Sequence, residues 1–260
     1  MIGIALIKVL LLAVLVMTAI WYLQMRTRNA GFVDVAWALL LGVSALYLSL
    51  AGTGEMTWRI ALALCGGFWG FRLGLHLLHR VLHEEEDGRY RFLREHWHGH
   101  QGKFFGFFMA QAVLVLVFAL PFAAVAWNEQ RHSLVQVGAA LAIWFLAMFG
   151  EAIADRQLAH FRSHPANKGK TCRVGLWRYS RHPNYFFEWL HWFTYVVLSI
   201  GSPYWYFSIF GLVAMGVSLN WITGIPYVEA QALRSRGDDY RAYQRTTNSF
   251  FPWFPKQDTP

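Results

Sequence analysis

Charge is scarce in this chain. Only 15% of its 260 residues are Asp, Glu, Lys or Arg, against 56% that are hydrophobic. Soluble domains carry about a quarter, so the shortage excludes an ordinary water-soluble domain. Cysteine is scarcer still. Cys65 and Cys172 stand alone, which excludes a disulfide framework and a thiolate metal site. No polar linker, internal repeat or low-complexity tract divides the chain, so one membrane domain over 1–260 is expected. A glycine-rich phosphate turn is also missing. "GGFWGFRLG" (66–74) has the glycines, but it lies inside an apolar run with no strand before it. Its glycines suit close helix packing instead.

What the chain has is long apolar blocks. Each approaches or exceeds the ~20 residues that cross a bilayer. They fall at about 4–24, 32–51, 57–80, 104–127, 133–160, 184–200 and 204–224. The first, Leu6 to Tyr22, is too long for a signal-peptide core and has no small-x-small cleavage site after it, so a retained span is expected. The predicted fold is all-α, a polytopic membrane protein of seven transmembrane helices. Most of the 23 basic residues fall in alternate loops around Arg26, Arg89 and Lys168 and in the tail from 225 to 260. The opposite loops hold Arg59 and Arg131. Basic loops stay inside, which puts the N-terminus outside and the C-terminus in the cytoplasm. These loops are topogenic and attract anionic lipid, so no nucleic-acid partner is expected.

The few charges inside the spans are not scattered. Asp34 opens the second span in "GFVDVAW". Arg72, His76 and His79 share one face of the third. Glu151, Asp155 and Arg162 share one face of the fifth, and Asn184, Glu188 and His191 one face of the sixth. Glu229 lies just past the seventh. All sit at the cytoplasmic end, and the outer half is nearly bare. Ionisable groups in spans are costly and usually line a cavity or pathway. A polar cavity open to the cytoplasm fits them. Carboxylates there suit ribose hydroxyls, and the basic loop 162–181 suits phosphates. "HWHGH" (96–100) lacks carboxylates at ligand spacing, so no metal is expected. In "GLWRYSRHPNYFFEWLHW" (175–192), Pro183 is placed to start a helix. The N-terminus of that helix, beside Arg181 and His182, suits an anion.

That stretch resembles the C-terminal signature of the steroid 5α-reductase family and its bacterial relatives. "RHPNYFFE" supplies the family's Asn-Tyr/Phe-x-x-Glu as Asn184, Tyr185 and Glu188, and Asp155 and Arg162 have its cofactor-binding spacing. "DDYRAYQRTTNSFFPWFP" (238–255) resembles its closing Tyr-rich segment. "GFVDVAW" and "EDGRYRFLR" resemble the bacterial branch, but Asp34 stands about where the steroid enzymes have a Gln-Glu pair. The same C-terminal half resembles isoprenylcysteine and phospholipid methyltransferases, which use S-adenosylmethionine. Three features favour the reductases: the number of spans, the Asp155/Arg162 spacing and the extra basic loop.

The resemblance implies NADPH-dependent reduction of the carbon–carbon double bond of an α,β-unsaturated ketone, with a 3-oxo-Δ4-steroid the expected substrate. It implies that Glu151, Asp155, Arg162, Lys170, Tyr179, Arg181, His182, Asn184, Tyr185, Glu188, Glu229 and Tyr240 hold the cofactor. Asp34, as a protonated carboxyl, is the expected acid, with Tyr90 or His76 as its partner and Trp37 and Arg72 at the substrate. The lipophilic substrate would enter from the bilayer. A monomer in a bacterial inner membrane, with its site facing the cytoplasm, is expected.

Overall fold

The computed structural model describes residues 1–257, and 78% of the chain is helical, with no strand among the described residues. Six helical stretches are long and apolar enough to cross a membrane: Ile2–Thr27, Phe32–Ala51, Met56–His83, Gln101–Ala126, Leu134–Ser163 and Trp205–Arg236. Five of them match predicted spans closely. The last outruns its span, 204–224, because helix resumes at Ile225 after a short break and runs to Arg236.

The expected span 184–200 is different. It forms two short helices, α8 (Pro183–His191) and α9 (Phe193–Leu198). They part because the Trp192 amide bonds back to Trp189 O, a tighter turn that interrupts the α-helical ladder. At 1.5 Å per residue the pair reaches about 24 Å, short of a ~30 Å core. By length and composition, the described residues hold six helices that could each cross a membrane alone.

The described chain groups into two compact units. The first holds residues 1–138 and 195–211. In it α1 (Ile2–Thr27) packs on α6 (Gln101–Ala126). The next helix, α2 (Phe32–Ala51), packs on both α6 and α4 (Phe68–His83). A short α3 (Met56–Leu62) and one wide turn, 63–67, lead into α4. The α2–α4 approach depends on paired glycines. A Cβ on Gly70 would lie 2.5 Å from Gly42 N, inside van der Waals contact. Small residues let helices pack this closely where lipid supplies no hydrophobic drive.

The second unit holds residues 139–194 and 212–260, described to 257. It takes in most of α7 (Leu134–Ser163), the loop to α8, the end of α10 (Trp205–Val217), and the tail helices α11 (Ile225–Arg236) and α12 (Asp238–Thr246). The tail is two helices and not one, because Gly237 takes φ 51°, a left-handed conformation that ends a helix and favours glycine. Tyr243 anchors the tail: its hydroxyl donates to Trp177 O, and to Ser180 O at 3.1 Å.

Candidate functional site

The candidate residues fall into two sets. Asp34, Trp37, Arg72, His76 and Tyr90 lie in the first unit, and the twelve nucleotide candidates lie in the second.

Asp34 sits in the first turn of α2, where the helix dipole favours a carboxylate. Residues 88–96 of the long inner loop form helix α5, capped by Asp87, whose side chain accepts from Arg89 N at 2.9 Å. This cap aims the next two side chains at Asp34. Arg89 Nη2 lies 3.0 Å from Asp34 Oδ2, and Tyr90 Oη donates to Asp34 Oδ1 at 2.6 Å. Tyr90 is buried. Burial, with the Asp34 carboxylate beside it, pushes its hydroxyl well above the usual value. Burial also pushes the Asp87 carboxyl up, but Arg89 and Arg80 outweigh it and hold that group below its usual range. The loop is stapled again at Glu86, which accepts from Ala30 N at 2.7 Å and Arg94 Nη2 at 2.8 Å. A cavity of about 30 Å³ adjoins Asp34, Asp87 and Arg89.

Both carboxyl oxygens of Asp34 are engaged, Oδ2 by Arg89 and Oδ1 by the Tyr90 hydroxyl. One helical turn on, Trp37 is wedged edge-on against Trp69 and Phe118, centroids 6.2 and 5.6 Å away. Its Nε1 is buried and has no hydrogen-bond partner among the described residues. A buried orphan donor costs about 1–3 kcal/mol, which an incoming carbonyl or hydroxyl would recover. Arg72 is half-buried and His76 exposed, both in α4.

In the second unit Asn184 Nδ2 reaches Asp155 Oδ1 at 3.3 Å, joining α8 to α7. Asn184 Oδ1 accepts from Tyr185 N at 3.0 Å. Tyr185 stacks on His182 with centroids 5.7 Å apart. Glu188 Oε1 accepts from Trp192 Nε1 at 3.3 Å. Glu151 is buried in α7.

Glu229 gathers another group. Its Oε1 takes Arg181 Nε at 2.7 Å, His182 Nε2 at 3.2 Å and the Tyr240 hydroxyl at 3.3 Å. Gln244 Nε2 donates to its Oε2 at 2.8 Å. The other end of Arg181 donates to Thr247 O at 2.6 Å and Gln244 O at 3.2 Å. Arg181 thus ties the start of α8 to the tail, because a half-buried guanidinium needs several acceptors and Glu229 with two tail carbonyls supplies them. Burial pushes the His182 imidazole below its usual value, and the bond to Glu229 only partly offsets this.

The remaining cations differ. Arg162 and Lys170 are exposed, as is Tyr179, whose carbonyl accepts from Trp253 N at 2.9 Å. Asp239 accepts from Thr171 N at 2.7 Å and Arg173 Nη2 at 2.8 Å, which ties the basic loop to α12. Gln244 escaped the sequence reading. Its signal was there: it follows Tyr240 by four residues, on the same face of α12.

The donor set fits a nucleotide. Asp155, Asn184 and exposed basic side chains can meet hydroxyls, an amide and phosphates. No group of three or more His, Cys, Asp or Glu among the described residues is placed to hold a metal ion. One family, described as protein of unknown function (DUF1295), matches residues 20–247. No curated protein matches the chain, and no solved structure does.

Proposed function

The chain belongs to the DUF1295 family, within the steroid 5α-reductase-like superfamily, and from that premise we propose that it is an NADPH-dependent reductase of α,β-unsaturated ketones in lipophilic substrates, 3-oxo-Δ4-steroids among them. The observation that carries this reading is the Asp155–Asn184 pair, which unites the two segments whose resemblance implied a cofactor wall. When bound, NADPH would supply a hydride to the β-carbon of the enone. Asp155, Asn184, Glu188 and Tyr185 would hold hydroxyl and amide groups, with buried Glu151 behind them, and Arg162 and Lys170 would neutralise phosphates. Arg181, His182, Glu229 and Tyr240 would keep the tail docked under that wall. The Trp37 indole would hold the substrate carbonyl. Tyr90, held by Asp34, is the proposed proton donor, a role assigned within the first unit alone.

The same reading sets the topology. The C-terminal end of α9 is bonded by the loop opposite the basic ones: Asn128 Nδ2 donates to Leu198 O and Ile200 O, and Gln136 Nε2 to Val197 O. This supports the α8–α9 pair as one shortened crossing. Seven crossings then result, with the N-terminus outside and the basic loops in the cytoplasm of a bacterial inner membrane.

Reduction of a steroid enone by purified protein tests the function. Tyr90→Phe should cut turnover at least about 100-fold, the worth of a positioned proton donor, with NADPH binding unchanged. Asp155→Ala should weaken NADPH binding. Wild-type turnover in Tyr90→Phe would remove Tyr90 from the mechanism. Methyl transfer from S-adenosylmethionine, with no NADPH oxidation, would replace the reading altogether.

A further inference from the structure

A groove of about 630 Å³ opens on the second unit, within the roughly 300–1,000 Å³ of ligand pockets. Its floor is built rather than incidental. Gly216 on α10 lets the Trp189 ring lie against the helix, since a Cβ there would stand 3.0 Å from Trp189 Nε1. That indole donates to Leu212 O at 3.2 Å, which fixes the ring. Phe250 and Phe251 pack on Trp189 with centroids 5.7 Å away. The far wall is the wide helical turn Ser218–Ile222, a single-turn π-helix that carries Asn220 and Trp221. Such turns recur at functional sites. The near wall, 248–251, is pinned from behind: Arg181 N donates to Asn248 O at 2.9 Å, and Ser180 Oγ to Phe250 O at 2.8 Å.

The lining decides the occupant. It has aromatic and aliphatic walls, and its polar members are Asn220, Asn248 and Ser249. None is charged. Asn220 Nδ2 is engaged by Gly216 O at 2.9 Å, which fixes the orientation of its amide. Trp221 and Val213 are exposed at the mouth, 72% and 57%, on a helix whose other exposed side chains are apolar. A phosphate or carboxylate would find no counter-charge here, and a plain hydrocarbon would leave the amides unmatched. We propose that this groove binds an uncharged lipophile whose polar end is a hydrogen-bonding alcohol, ketone or amide, taken in from the bilayer. This does not rest on the nucleotide reading.

The test uses purified full-length protein in detergent and three photoreactive C16 probes: an alcohol, the matched alkane and the matched carboxylic acid. Cross-links are mapped by peptide mass spectrometry. The alcohol should label Trp221 and Phe251 at concentrations about three- to tenfold below the other two, one neutral hydrogen bond's worth. Asn220→Leu should erase that preference and keep alkane labelling. Val213→Trp, at the exposed mouth, should block all three probes, and it stands in if Asn220→Leu does not fold. Equal labelling by the acid would overturn the proposal. So would labelling spread equally over other exposed apolar positions such as Leu15 and Phe149, or a Val213→Trp variant labelled like wild type.

Discussion

His182 shows how one residue's surroundings reach the stability of the whole tail. Its imidazole is buried and held below its usual pKa, chiefly by desolvation. The unfolded chain takes up this proton near pH 6.5, the folded chain only at lower pH. Its contribution to stability is therefore complete above about pH 6.5 and is lost as the pH falls below that. Carboxylates held low by basic partners or backbone amides, Asp87 and Asp239, lose theirs only near pH 4 and below. Thermal unfolding in detergent should give a lower Tm at pH 5.5 than at 7.5, and His182→Gln should shrink the difference. An unchanged difference in that variant would detach the effect from His182. The cluster around it was only partly legible beforehand. Arg181, His182, Glu229 and Tyr240 stood out by type, but that Arg181 turns to Glu229 depends on a contact 48 residues away. No local pattern encodes that.

At the scale of elements, the α2–α4 crossing carries the sharpest packing claim. Gly70→Val would drive side-chain atoms into the backbone at Gly42. It should destabilise by at least about 1–3 kcal/mol, the cost of overpacking, and lower the folded yield in detergent. Gly106→Val, where a Cβ meets nothing within 4 Å, is the control. Equal loss in both would deny the close approach. Helix α2 was legible to its ends, 32–51, because an apolar run with no break sets both. The division between α8 and α9 was not. It follows from one turn at Trp192, in a stretch whose composition reads as continuous helix. Helix α5 was hidden for the opposite reason. Its sequence is short and largely polar, and the cap at Asp87 and the bonds to Asp34 hold it in place.

For the molecule as a whole, the proposed topology puts the basic loops in the cytoplasm. A single cysteine placed at Gln130 should react with an impermeant thiol reagent in intact cells, and one at Lys168 only after lysis. The reverse pattern would invert the topology, and reaction of both in intact cells would sink the account of the basic loops. The central claim is that the second unit holds a reduced nicotinamide nucleotide. The most direct measurement is NADPH fluorescence titrated with purified protein, with S-adenosylmethionine as competitor. Saturable enhancement that Asp155→Ala weakens, and that S-adenosylmethionine does not displace, is the predicted result. No enhancement, together with S-adenosylmethionine raising the Tm, would contradict it.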